Sequence, residues 1–293
     1  MVKKFLEIVF IIILFSTIGI VVYIANDVKS VPPEEVIKQY HIEEKEYAGR
    51  DIFYLTAKQQ ETINSYKIIY IHGGSYAAEL SQEHWTFLKS LVDELNCTII
   101  IPDYPLTPKY NYKDVFAMMM PFYKEIVENN GAENIILMGD SAGGGLALAL
   151  LEELKEYEVP KRTILISPWL DVTMKNPEID EVQKNDKALN KLALKLAGEL
   201  YAGEDGIDSY LVNPINGPLE NLNHLIIFTG TYDILNPDVH SLEKKTKAIG
   251  VTIQIEETEG AMHNWIIYNR QEVYRSQEDY QKLVSALKNE MKK

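Results

Sequence analysis

Gly139-Asp140-Ser141-Ala142-Gly143 stands between the apolar run Ile135-Ile136-Leu137-Met138 and an alanine- and leucine-rich segment that opens on Gly144 and Gly145. Glycine inside a regular element is costly, because it surrenders the most backbone entropy on ordering. A cluster of this kind marks a turn that needs it. The spacing is G-x-S-x-G, which sets a serine on a sharp strand-to-helix turn with its hydroxyl raised. The amide of Ala142 then faces any oxyanion that forms there. Ser141 is therefore a candidate nucleophile. The plain alternative is a serine that caps a helix start.

A second glycine pair, in His72-Gly73-Gly74-Ser75-Tyr76, follows the apolar run Ile68-Ile69-Tyr70-Ile71. Here the amides of Gly73 and Gly74 read as oxyanion donors, since a side chain would hold the substrate oxygen away from them. His72 reads as a hydrogen-bonded organiser of the loop, not as a proton carrier.

A nucleophilic serine needs a base, and the base needs an orienting carboxylate. The histidines after Ser141 are His224, His240 and His263. His224 opens an apolar strand pattern and His240 lies in a helical one, whereas His263 sits in a loop, in "EETEGAMHNW". For the carboxylate, "IIFTGTYDILNPD" offers Asp233 at the end of a strand pattern, and Asp238 as a helix-start charge.

The elements that must position these residues alternate. Apolar strand patterns are "DIFYLT", "KIIYIH", "CTIIIP", "NIILMG", "RTILIS", "HLIIFTG" and "VTIQIE". Helical patterns separate most of them, among them "SQEHWTFLKSLVDELN", "YKDVFAMMMPFYKEIVENN" (with Pro121 expected to kink or bound it), Ala142 to Tyr157, "NKLALKLAGELY" and "DVHSLEKKTKAIG". Continuous apolar strands between helices call for an α/β domain whose mostly parallel sheet is covered on both faces. Ligands of such sheets bind at the carboxyl ends of the strands. A polar and helical insertion, residues 171–217, is expected to form part of a lid. Trp169 reads as core, and Asp171 as the partner of a loop hydrogen bond.

The motifs "HGGSY", "GDSAGG", "LISPWLDVT", "GTYDILNPD" and "MHNW", in this order, resemble the hormone-sensitive-lipase-like esterases. The resemblance covers nearly all of the chain after residue 50. It implies an α/β-hydrolase fold with a small helical cap, Ser141 as nucleophile, Asp233 as acid, His263 as base, and Asp140 as a support residue that helps to organise the oxyanion loop. It also implies an oxyanion hole from Gly73, Gly74 and Ala142, small or medium acyl esters as substrates, and no cofactor or metal. The chain departs from the pattern at "DYPLTPK", where the Arg and Glu that often follow Asp-Tyr in that family are absent, together with the ion pair they would support. An amidase, formamidase or peptidase could use the same triad. A non-catalytic binding protein on this scaffold would have lost one of its members.

A formal net charge of −14 over 293 residues excludes a phosphate-binding nucleic-acid partner. One cysteine, Cys97, allows no internal disulfide. The uncharged stretch from Ile8 to Ala25, after Lys3 and Lys4, has the length of a membrane-crossing helix. Residues 1–26 are thus expected to be a transmembrane signal anchor, or a signal peptide, placing the rest outside the cytoplasm. Residues 27–50 are expected to be a linker and cap helix, and 51–293 the catalytic domain.

Overall fold

The computed structural model describes residues 29–58, 64–268 and 274–291, and the backbone of two short strands nearer the start, β1 (Ile12–Ser16) and β2 (Gly19–Tyr23). Eight further strands form one sheet: β3 (Tyr40–Tyr47), β4 (Arg50–Ala57), β5 (Lys67–Ile71), β6 (Thr98–Pro102), β7 (Ile135–Asp140), β8 (Arg162–Ile166), β9 (Leu225–Gly230) and β10 (Gln254–Thr258). Their order is β10-β9-β8-β7-β5-β6-β4-β3. Strands β5 to β10 pair in parallel, and β4 pairs antiparallel with both β3 and β6.

The central strands are buried along their whole length, as the apolar runs demand. Alternate residues feed two cores. On one face Ile68, Tyr70, Ile136, Met138 and Phe228 meet the helices Gln82–Leu95 and Tyr274–Met291. On the other, Ile69, Ile71, Leu137 and Leu165 meet Tyr112–Asn130, Ser141–Glu152 and Asn236–Ala248. The chain leaves β5 to one side to make β6, and returns on the other to make β7. That reversal opens a crevice at the carboxyl ends of β5 and β7, where ligands of such sheets bind.

Three expectations meet these elements. The segment expected as a linker and cap helix holds, over residues 29–50, a short helix, Glu34–Gln39, and then β3, an edge strand of the main sheet. Its sequence, Tyr-His-Ile-Glu-Glu-Lys-Glu-Tyr, hides the strand because charged side chains cover an exposed edge, the usual defence of edges against mispairing. The helix Tyr112–Asn130 continues past Pro121, so the proline does not bound it. The membrane-crossing helix expected over Ile8 to Ala25 falls partly outside the described residues; what is described of it is β1 paired antiparallel with β2. A run so rich in Ile and Val satisfies a strand as well as a helix, and hydropathy alone does not separate them. No helix among the described residues is long and apolar enough to cross a membrane.

Candidate active site

All the candidate residues emerge at one edge of the sheet. The register sets Ile71 of β5 beside Gly139 of β7, Asp140 beside Ile166 of β8, and Gly230 of β9 beside Thr258 of β10. His72 to Tyr76 follow β5, Ser141 follows β7, Asp233 follows β9 and His263 follows β10.

Ser141 opens the helix Ser141–Glu152 with φ of 52°, a left-handed conformation that a side chain adopts only when its surroundings enforce it. The enforcement is visible around the glycines. A Cβ at Gly139 would lie 2.5 Å from the carbonyl oxygen of Gly143, and one at Gly143 would run into the carbonyls of Ile71 and His72. Helix and strand therefore cross at backbone contact. Gly73 is equally confined, since its Cβ would lie 2.8 Å from that of Ser141. The oxyanion-loop candidate thus lies directly against the nucleophile candidate.

His263 and Asp233 are brought together: Nδ1 of the imidazole lies 2.9 Å from Oδ2 of the carboxylate. Asp233 is fully buried and His263 nearly so. The amide of Leu235 donates to the other carboxylate oxygen, Oδ1, at 2.9 Å. Burial works to lower the pKa of His263. The charge of Asp233 overrides it, joined by Asp186 and Asp140, and the imidazole titrates above the ordinary histidine value. His224 and His240 lie elsewhere; His240 pairs with Glu257 on the surface, at 2.6 Å. Asp238 is a buried helix-start residue bonded to Asn176, its pKa raised to about 6 by burial.

Asp140 is the hub behind the turn. Its Oδ1 accepts from Tyr70 Oη at 2.6 Å and from the amide of Gly73 at 2.9 Å. Its Oδ2 accepts from Asn264 Nδ2 at 2.6 Å and faces His84 Nε2 at 3.3 Å. The amide of Ser81 donates to His84 Nδ1, which places the ring proton on Nε2, toward Asp140. Burial alone would raise the pKa of Asp140, but His84, Tyr70 and Gly73 bring it down to about 2. One carboxylate thereby ties the Ser141 turn to the loop after β5, through Gly73, and to the loop after β10, through Asn264.

That hydrogen bond revises one expectation. The single proton of the Gly73 amide is committed to Asp140, so Gly73 holds the loop. Among the described residues no loop or turn hydrogen bond takes the next amides, those of Gly74 and Ser75. His72 is fully buried behind the loop. Its Nδ1 meets the Gly73 carbonyl at 2.7 Å, its ring stacks on Tyr104, and burial followed by the neighbouring His84 pushes its pKa down to about 4.

The ion pair thought missing at "DYPLTPK" is replaced. Arg50, from β4, donates through Nη2 to Asp103 Oδ2 at 2.7 Å and through Nε to the Asp103 carbonyl, and both residues are buried. Trp169 is core, with Nε1 donating to the Asp171 carbonyl, and Asp171 accepts from Thr173 within its own loop. Tyr201, on the helix Lys191–Ala202 of the insertion, stacks on Tyr76 at 3.6 Å between ring centroids. Sequence reasoning assigned nothing to His84, Tyr70, Asn264 or Asp186, because each acts through a partner more than forty residues away. No cluster of His, Cys, Asp and Glu suited to a metal occurs among the described residues.

Residues 68–267 match the model of the alpha/beta hydrolase fold family. The chain belongs to that family. Relatives include an acetyl-hydrolase of Streptomyces hygroscopicus, 27% identical over 205 residues that make up 69% of each chain. An esterase of Acinetobacter venetianus is 28% identical over 206 residues, 69% of this chain and 68% of that one. Among solved structures, a candidate esterase from Staphylococcus aureus has a TM-score of 0.81 at 26% identity, covering 88% of this chain and 87% of that one. The hormone-sensitive-lipase homologue EstE7, from a metagenome library, shares the fold with a TM-score of 0.78 at 22% identity, over 87% of each chain. The resemblance drawn from the five motifs is thus matched at the level of the whole fold.

Proposed function

We propose that this hydrolase is a serine carboxylesterase for short- to medium-chain acyl esters. The observation that carries the reading is the buried Asp233–His263 hydrogen bond at the same sheet edge as the strained Ser141. His263 takes the Ser141 proton as Oγ attacks the ester carbonyl, and the imidazolium is stabilised by Asp233. The amides of Gly74 and Ala142, with Ser75 next in the turn, receive the oxyanion. Collapse of the tetrahedral species expels the alcohol, which takes its proton from His263, and leaves an acyl group on Ser141. A water deprotonated by His263 then releases the acid and restores the serine. No step needs a metal or a cofactor.

Esters are favoured over amides because relatives are named esterases. A short acyl group is favoured by the stack of Tyr201, Tyr76 and Trp169, which sets three large rings against the loop after β5. The 171–217 insertion serves as the lid. The uncharged stretch of residues 8–25, behind Lys3 and Lys4, supports a membrane-attached enzyme with its catalytic domain outside the cytoplasm. Fractionation of expressing cells, with protease added to intact cells, tests that placement; full-length protein in the soluble cytoplasmic fraction would refute it.

The test of the activity is hydrolysis of p-nitrophenyl esters from acetate to decanoate by the full chain, beside Ser141→Ala. Turnover that falls with chain length and is lost in the variant is the expected result. A folded protein inactive on every ester would overturn the proposal.

A further inference from the structure

Asp186 lies in the insertion, just after the short helix Ile179–Val182, and its side chain is buried. Its Oδ1 accepts the amides of Ala188 and Leu189, at 2.7 and 2.9 Å, which is an ordinary local turn. Its Oδ2 does something different. It reaches across the fold to accept the amide of Ile234 at 3.0 Å, one residue beyond Asp233.

The next amide, that of Leu235, is taken by Asp233 itself. Two carboxylates therefore hold consecutive amides of one turn, and Asp233 keeps Oδ2 for His263. A local cap alone does not account for this. Burying a second carboxylate near Asp233 costs desolvation and repulsion, and both are visible in the raised pKa of Asp186, where burial leads and the charge of Asp233 adds. A neutral asparagine or serine would satisfy Ala188 and Leu189 without that cost. The charged groups that face His263 are Asp233 on its own turn, Asp186 from the insertion and Asp140 from the end of β7.

We propose that Asp186 is a positioning residue for the reaction: it clamps the Ile234 amide so that Asp233 stays aimed at His263, and its charge helps to hold the imidazolium formed when His263 takes the Ser141 proton. The inference rests on the esterase reading above. It gives the insertion a second task besides covering the site, since the element that closes over the substrate also braces the catalytic acid.

The test compares full-length wild type, Asp186→Asn and Asp186→Glu on p-nitrophenyl acetate, with Ser141→Ala and Asp233→Asn as controls and a thermal melt for each. For Asp186→Asn the expected result is a kcat lower by roughly tenfold or more, as small misplacements of catalytic groups produce, with KM within about twofold. Loss of one negative charge facing His263 lowers its pKa, so the acid limb of kcat/KM moves to lower pH. Asp186→Glu keeps the charge and changes the reach: its limb stays in place while kcat falls. Wild-type kcat with an unmoved limb in Asp186→Asn overturns the proposal. So does a reduced kcat with an unmoved limb, which would leave a purely structural clamp. Should Asp186→Asn fail to melt cooperatively, Asp186→Glu decides, and a moved limb there counts against the proposal. Turnover retained by Ser141→Ala would instead sink the triad reading on which this one rests.

Discussion

The helix Ser141–Glu152 is flanked at its start by the buried Asp140 and ends on the buried Glu152, about 18 Å further along the axis. Asp140 has four partners and a pKa of about 2. Glu152 has no hydrogen bond to either oxygen among the described residues; burial, with Glu153 adding, pushes its pKa up to about 10. The helix macrodipole acts in the same sense, favouring an anion at the first end and opposing one at the second. Hydrogen-bond donors converge at the end that carries Ser141, the candidate nucleophile. At the other end a carboxyl group is simply kept neutral against the backbone near Gly217. Burial does not decide whether a carboxylate stays charged; its donors do.

The largest effect expected from breaking this contrast is at Asp140. Asp140→Ala strands Tyr70, Gly73, Asn264 and His84 together, so stability falls by about 3 kcal/mol or more. The kcat for p-nitrophenyl acetate falls by roughly 100-fold or more, because the oxyanion loop and the His263 loop both lose their tether. Urea melts and steady-state rates check this, and a variant with wild-type kcat would show that the hub is ornamental to the reaction.

The next effect is on pH dependence. His263 must be neutral to act as a base, and its pKa lies above the usual value near 6.5. The acid limb of kcat/KM should therefore sit above that value, with activity falling about tenfold per pH unit below it. A limb near pH 4, where His72 titrates, would instead implicate His72.

Glu152→Gln should act in the opposite direction to Asp140→Ala. The folded pKa of Glu152 exceeds the unfolded one, so its proton is held in the native state and released on unfolding. Stability is then fullest below the unfolded value near 4.5 and declines as pH rises toward 10. The amide removes that decline, and Tm at pH 8 should rise by a few degrees with kcat unchanged. A Tm that falls at pH 8 would mean that Glu152 is ionised and paired. The smallest effect belongs to His240→Gln, on the surface beside Glu257, where kcat/KM should stay within about twofold.

The same contrast explains what was legible in the sequence. The nucleophile turn announces itself because its geometry requires glycine at fixed offsets, and a strand followed by a helix is a local pattern. His263 and Asp233 were legible as loop residues at strand ends. Asp140 was legible as a support residue beside the serine, but its partners Tyr70, His84 and Asn264 were not, because they come from three separate elements. Gly73 was read as an oxyanion donor for the same reason: the acceptor that occupies its amide lies 67 residues away. β3 escaped because an exposed edge strand is written in charges. Asp186 had no local signal at all.

The most direct test of the central claim is covalent. The full-length protein is treated with a p-nitrophenyl phosphonate, which transfers its phosphonyl group to an activated serine with release of p-nitrophenol, and the digest is read by mass spectrometry. The account predicts one equivalent of adduct, on Ser141, formed together with loss of esterase activity, and none in His263→Ala. Labelling of another residue, or full inactivation with Ser141 unmodified, would contradict it.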